Sequence, residues 1–173
     1  MVSDENLILE FQHGSKEAFD ELFARYREPI YGFFRRRLPD RPRAEDLTQE
    51  TFLAIIRGAA RYEPRSLVRT YLYGIALKLA AAERRKVART GPSAAAEASS
   101  AAASPGDAHD ASLWIREALA RLDEPHREIL MLREYEQLSY QEIAALLRLP
   151  VNTVRTRLFR ARLALKEQFH ATR

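Results

Sequence analysis

Apolar residues recur along this chain at three- and four-residue intervals, and no stretch alternates with the two-residue period of a strand. Leu7, Ile8 and Phe11 predict a short opening helix that ends at Gly14. Ser15 is placed to cap a long second helix, in which Phe19, Leu22, Phe23, Tyr26, Ile30, Phe33 and Phe34 repeat at helical spacing. Pro29 predicts a kink in it. A third helix, with Glu45 and Asp46 in its first turn, runs to Gly58, and its apolar face is Leu47, Phe52, Ile55 and Ile56. A loop through Tyr62, Glu63, Pro64 and Arg65 leads into a helix from about Ser66 to Arg89. Leu67, Tyr71, Ile75, Leu79 and Ala82 mark one side of that helix. The fold class these patterns predict is all-α.

The rhythm then breaks. Thr90-Gly91-Pro92-Ser93 is a stop signal, residues 94–104 are alanine, serine and Glu97, and Pro105-Gly106-Asp107 is a turn cluster. Residues 90–110 read as a mobile tether between two small helical domains, 1–89 and 111–173. In the second domain, Leu113 to Leu122 predicts a helix with Ile115, Leu119 and Leu122 inward. Pro125 opens another, with Ile129, Leu130 and Leu132 apolar.

The segment from Leu138 to Arg162 reads as a helix-turn-helix. Ser139 and Glu142 have capping-box spacing, and Tyr140, Ile143, Ala144 and Leu147 share a face. Pro150 ends that helix and suits the start of the next. Val151, Val154, Leu158, Ala161 and Leu165 then form a buried stripe, with Arg155, Thr156, Arg160 and Arg162 off it. Tyr140 and Phe159 are expected in the core. From Ser139 onward the cations are Arg148, Arg155, Arg157, Arg160, Arg162, Lys166 and Arg173, against only Glu142 and Glu167. A solvated basic face is one reading. A helix that enters a DNA major groove is the favoured one, because the planar arginine fork suits guanine edges and phosphates.

Composition narrows the chemistry. The net charge of +4 permits a polyanionic partner, and the absence of cysteine excludes disulfides, thiolate zinc sites and thiol nucleophiles. His13, His109, His126 and His170 lack metal-ligand spacing, so no metal or cofactor is expected. No apolar run is long enough to span a bilayer. Met1 to Asn6 lacks a signal-peptide pattern, so a cytoplasmic protein without membrane insertion is expected.

Two further constellations stand out. Asp46, Gln49 and Glu50 share one helix face, which suits either an ordinary acidic first turn or a protein-binding surface. A catalytic carboxylate pair is disfavoured, since no nucleophile or metal ligand is patterned nearby. The long helix before the tether mixes Arg65, Arg69, Tyr71, Tyr73, Lys78, Arg84, Arg85, Lys86 and Arg89. Interleaved rings and cations suit a single-stranded nucleic acid, although either tyrosine is also a candidate for the core.

Three motifs occur in order: Ala44-Glu45-Asp46-Leu47-x-Gln49-Glu50-x-Phe52, then Tyr71-Leu72-Tyr73-x-Ile75-Ala76, then Leu138-Ser139-Tyr140-x-Glu142-Ile143-Ala144 continuing into Pro150-Val151-x-Thr153-Val154-x-x-Arg157-Leu158-x-Arg160-Ala161-Arg162. Together they resemble bacterial sigma factors of the extracytoplasmic-function (ECF) type, which consist of regions 2 and 4 and a linker. The resemblance implies a non-enzymatic subunit that binds core RNA polymerase, recognises the −10 and −35 promoter elements and assists melting. It implies that Asp46, Gln49, Glu50 and Phe52 meet the β′ coiled coil, with the β subunit as a further contact. Tyr62, Arg65, Arg69, Tyr71, Tyr73, Lys78, Arg84 and Arg85 match the part that captures a flipped −10 base and holds the melted strand. Asn152, Thr153, Arg155, Thr156, Arg157, Phe159 and Arg160 match positions that meet the −35 element. The tether matches a linker through the polymerase channel, where its acids resemble RNA, and an anti-sigma factor is an expected partner.

Four positions depart from the family pattern. Tyr71 replaces a usual Trp, Lys78 a usual Asn, and Ala82, with Glu83 beside it, a usual Asp. Asn152 replaces a usual Gly, which fits a residue that caps helices well. An autonomous helix-turn-helix regulator is one alternative, but it leaves the Asp46 face unexplained. A sigma mimic that sequesters an anti-sigma factor is another, but it has no need of the recognition-helix cations.

Overall fold

The computed structural model describes residues 1–91 and 107–171, with residues 107–112 and 171 as backbone only. Among these residues the regular elements are all helical, as the apolar spacing predicts. The chain divides into two compact units, residues 1–101 and 102–173. Residues 92–106, most of the expected tether, lie outside the described residues.

In the first unit, three helices begin on a capping side chain. Ser3 Oγ accepts from Asn6 N–H at the start of α1 (Asp4–Gln12), and Ser15 Oγ from Ala18 N–H at the start of α2 (Lys16–Arg37). Asp40 does the same for Arg43 N–H at the start of α3 (Arg41–Gly58). Such a cap is worth about 1 kcal/mol. Gly14 separates α1 from α2 at φ +100°, a conformation that favours glycine. The α2 helix runs through Pro29 to Arg37. A 3-10 turn (Ala59–Arg61) and a loop then lead into α4 (Val68–Thr90).

The core of this unit is Ile8 from α1, Leu22, Ile30, Phe33 and Phe34 from α2, Leu47, Phe52 and Ile55 from α3, and Val68, Leu72 and Tyr73 from α4. Each large apolar side chain contributes about 1.5–3 kcal/mol on burial.

Three details differ from the sequence reading. The α3 helix starts at Arg41, capped by Asp40 with Pro42 in its first turn, so Glu45 and Asp46 lie one turn further in than expected. Ile56 is 44% exposed rather than part of the apolar face. On α4 the buried stripe is Val68, Leu72, Ala76, Ala80 and Glu83, one position along from the expected one, and Leu67 is exposed. Small Ala76 and Ala80 permit close helix approach, which leaves the bulkier Tyr71, Ile75 and Leu79 half-exposed beside the contact.

The second unit comprises α5 (Asp107–Ala120), α6 (Glu124–Glu134), α7 (Tyr140–Leu147) and α8 (Val151–Ala171). The α5 helix takes over the last residues of the segment read as tether; the sequence puts two aspartates in its first turn, where the macrodipole favours acids. Asp123 caps α6. The expected capping box is present on α7: Glu142 N–H donates to Ser139 Oγ at 3.1 Å, and Ser139 N–H donates to Glu142 Oε2 at 2.6 Å. Leu119, Leu122, Ile129, Leu132, Leu138, Ile143, Val154, Leu158 and Ala161 form the core.

Here too there are corrections. Ile115 is 41% exposed, not inward, and Phe159 is 64% exposed, not core. Asn152 is the second residue of α8 rather than its cap. The α7 helix instead ends on Arg148, which takes the left-handed conformation at φ +55°.

Candidate polymerase and nucleic-acid interfaces

On α3, Asp46, Gln49 and Glu50 are all exposed and one helical turn apart, so they form a continuous surface. Arg43 lies beneath them. Its Nη1 is 3.4 Å from Glu50 Oε1 and 3.9 Å from Asp46 Oδ2, while its Nη2 is 2.9 Å from Glu83 Oε2 on α4. The hydrogen bond to Glu83 raises the Arg43 pKa above its ordinary value, against the opposing effect of burial. Arg43 Nε is buried without a hydrogen-bond partner.

Phe52 is not part of this surface. It is 3% exposed, and its ring meets Phe23 at 4.8 Å and Phe19 at 6.4 Å, both edge-on. Its role is to fix α3 against α2 beneath the acidic residues. Leu53 and Ile56, both about half exposed, continue the surface toward the end of α3. Sequence reasoning passed over Leu53 and assigned Ile56 to the core. The signal was available: Leu53 and Ile56 follow Asp46 and Gln49 at helical spacing.

The eight residues of the aromatic and cationic set divide by burial. Tyr62 and Tyr73 are buried, the latter with its ring 5.8 Å from Phe33. Burial, and then Glu5, raise the Tyr62 pKa, and its hydroxyl donates to Ser66 O at 2.6 Å. Tyr71 is half-buried, with its ring 5.5 Å from Tyr62. Its hydroxyl lies against Gly58, where a Cβ would clash with it. Glycine at the end of α3 is therefore what admits a tyrosine at position 71. Arg69 and Arg84 are half-buried, whereas Arg65, Lys78 and Arg85 are exposed. Arg65 pairs with Glu63 at 2.7 Å on the open surface, an interaction worth little in stability.

In the second unit, Asn152, Arg155, Thr156, Phe159 and Arg160 share one exposed face of α8, which Leu163 extends. Val154, Leu158 and Ala161 hold the opposite face in the core. Thr153 and Arg157 are half-buried at the edge; Arg157 lines a groove with Glu124, Glu128, Leu147 and Leu149. Arg162 is turned toward α6, where it pairs with Glu134 at 2.9 Å. Arg133 braces the connection between α6 and α7: its Nη1 donates to Leu138 O at 2.9 Å, and its guanidinium lies over the Tyr140 ring.

This geometry defines the class, an all-helical protein with a helix-turn-helix in its second unit. Two family models match it: "Sigma-70 region 2" over residues 22–90 and "Sigma-70, region 4" over residues 112–165. The chain belongs to the sigma-70 family and is an RNA polymerase sigma factor of the ECF type. It is 32% identical to the RNA polymerase sigma-H factor of Pseudomonas aeruginosa, over 94% of this chain and 91% of that one. The RNA polymerase sigma factor CarQ of Myxococcus xanthus is 36% identical, over 91% and 92%. The ECF RNA polymerase sigma-E factor of Escherichia coli K12 is 32% identical, over 95% and 93%. Among solved structures, CnrH in complex with the cytosolic domain of CnrY has a TM-score of 0.76 at 25% identity, covering 97% of each chain. The sigma factor RpoE of Bartonella quintana, in complex with the anti-sigma factor NepR, shares the fold with a TM-score of 0.69 at 24% identity, over 90% and 98%.

Proposed function

We propose that the α3 face carrying Asp46, Gln49 and Glu50 docks on the β′ coiled coil of core RNA polymerase, with Phe52 supporting it from within. The loop after α3 and the exposed side of α4 hold the melted −10 strand. Arg65, Lys78 and Arg85 neutralise its backbone, and Tyr71 offers a partly open ring for stacking. The α8 face from Asn152 to Arg160 enters the major groove at the −35 element. Thr153 and Arg157, at the edge of that face, are placed for its phosphates. Polymerase, with β as a second contact, performs the chemistry, so this chain acts in the cytoplasm as a specificity subunit and not as an enzyme. An anti-sigma factor holds it inactive, a reading supported by two proteins that share this fold and are solved bound to a partner, CnrH to the cytosolic domain of CnrY and RpoE to the anti-sigma factor NepR.

The observation that carries this reading is the pairing of two faces of opposite character. The α3 face is acidic and suits a protein partner. The α8 face combines arginines with an exposed aromatic ring and suits base edges. In vitro transcription with core polymerase and a randomised promoter library tests it. Selected promoters are expected to share two spaced elements, and Asp46→Arg is expected to abolish co-purification with core polymerase. Tight promoter binding without polymerase would instead identify an autonomous regulator.

A further inference from the structure

The loop that joins α3 to α4 is held from outside, by the N-terminal helix. Within itself it makes few bonds: Tyr62 N–H to Ala59 O at 3.0 Å, Arg65 N–H to Glu63 O at 2.7 Å, the Tyr62 hydroxyl to Ser66 O, and the exposed Arg65–Glu63 ion pair. Residues 63–67 are all exposed, and Leu67, at the cap position of α4, offers no capping side chain. Backbone groups at both ends of the loop are bonded by α1. Gln12 Nε2 donates to Ala59 O at 2.5 Å and to Tyr62 O at 2.9 Å. Glu5 Oε1 accepts from Val68 N–H at 3.2 Å, which supplies the cap that α4 lacks.

Glu5, Ile8 and Gln12 lie on one stripe of α1, two turns from end to end. Ile8 is fully buried between the two polar residues, so the stripe is anchored against the rest of the unit. Glu5 secures the end of the loop and Gln12 its beginning. An uncapped helix start, and a Tyr62 carbonyl that takes no bond from within the loop, would otherwise leave the loop without a defined shape.

We propose that Glu5 and Gln12 are positioning residues for −10 recognition: they hold residues 59–67 in the shape that captures an unpaired base, without touching DNA. This rests on reading the loop as the −10 site. A base pocket depends on sub-ångström placement of the groups around it, and the loop's own bonds do not supply that constraint. The N-terminal helix thereby becomes part of the promoter-reading apparatus.

The test uses the full chain with core polymerase on a promoter that the wild-type holoenzyme selects from a randomised library. Gln12→Met keeps the side-chain length but removes the donor, and Glu5→Leu removes the acceptor. Glu5→Gln keeps an acceptor oxygen. The readouts are permanganate reactivity of the melted strand and binding of a short single strand carrying the selected or a scrambled −10 sequence. Gln12→Met and Glu5→Leu are expected to reduce the preference for the selected strand about fivefold or more, as expected for losing one or two part-buried hydrogen bonds. Glu5→Gln is expected to retain it. Co-purification with polymerase is expected to hold in all three, and the melting temperature to fall by no more than the few degrees that one cap or hydrogen bond accounts for. Unchanged preference in Gln12→Met and Glu5→Leu would overturn the proposal. So would a loss that merely follows reduced polymerase binding, or one that disappears when strand preference is measured well below the melting temperature of each variant, because that marks a structural role. If the wild-type holoenzyme selects no promoter, the reading of the loop fails first and this proposal falls with it.

Discussion

Arg43 and Glu83 tie the acidic helix to the aromatic one: the guanidinium lies 2.9 Å from a carboxylate that is only 8% exposed. The same guanidinium faces Glu50 and Asp46 on the surface, so one side chain connects the packing of α4 to the charge of the α3 face. A buried charge that loses its partner is costly, whereas replacing both partners by apolar groups is often neutral. Arg43→Met is therefore expected to destabilise the first unit by about 1–3 kcal/mol, and Arg43→Met with Glu83→Leu to recover most of that loss. Urea unfolding followed by circular dichroism checks it. Fluorescence of Trp114, the only tryptophan and a residue of the second unit, serves as an internal control. An unchanged transition in the single variant would show that the pair is idle.

Features written in neighbouring residues were legible in the sequence. The helices, the Ser15 cap and the Ser139–Glu142 capping box all depend on side chains within one turn of the groups they serve. Features that depend on distant partners were not. Gln12 and Glu5 find their acceptor and donor some fifty and sixty residues away, and no local pattern announces either bond. Periodicity also fails to choose between adjacent apolar stripes, which is why the stripe on α4 is displaced by one position. Ile56, Ile115 and Phe159 share a different cause. Each is apolar yet exposed, and hydrophobicity alone does not separate a core residue from an exposed one. For Phe159, the family resemblance implies an outward-facing position, in keeping with its exposure.

Arg148 carries the turn of the helix-turn-helix at φ +55° and ψ +48°. An L-residue with a Cβ is disfavoured there, and glycine relieves the crowding at some expense in unfolded-state entropy. Arg148→Gly is expected to stabilise the second unit by about 0.5–1 kcal/mol. Denaturant unfolding followed by Trp114 fluorescence reads this directly. A loss of stability would show that the arginine side chain contributes more than its backbone conformation costs.

Tyr26 gives the first unit a dependence on alkaline pH. Burial, and then a hydrogen bond to Asp4, raise its pKa well above the ordinary 10.0. The unfolded chain thus loses this proton before the folded one does. The stability contribution is complete below about pH 10 and declines as pH rises from there toward the folded pKa. Tyr62 is shifted in the same direction, chiefly by burial. Urea unfolding between about pH 9 and 11 is expected to show a steeper decline for the wild type than for Tyr26→Phe, which retains the Tyr62 share. Equal slopes would mean that Tyr26 titrates alike in both states.

Phe159 and Arg160 sit side by side on the outer face of α8, and they differ in what their removal does to salt dependence. Phe159 is 64% exposed, so Phe159→Ala is expected to change folding stability by no more than about 0.5 kcal/mol. If the ring packs on a thymine methyl in the −35 element, the same change weakens promoter binding by the holoenzyme by about 1–2 kcal/mol. No cation is lost, so the slope of log affinity against log salt stays as it was. Arg160→Ala weakens binding by about 1–3 kcal/mol, and its slope distinguishes two roles. A base contact relaxes specificity at one position, whereas a phosphate contact weakens all sequences alike and lowers the slope by about one. Competition binding of the holoenzyme to the selected promoter at several salt concentrations measures both variants together. Unchanged affinity for Phe159→Ala would remove the ring from the DNA interface and leave the arginines to carry −35 recognition alone.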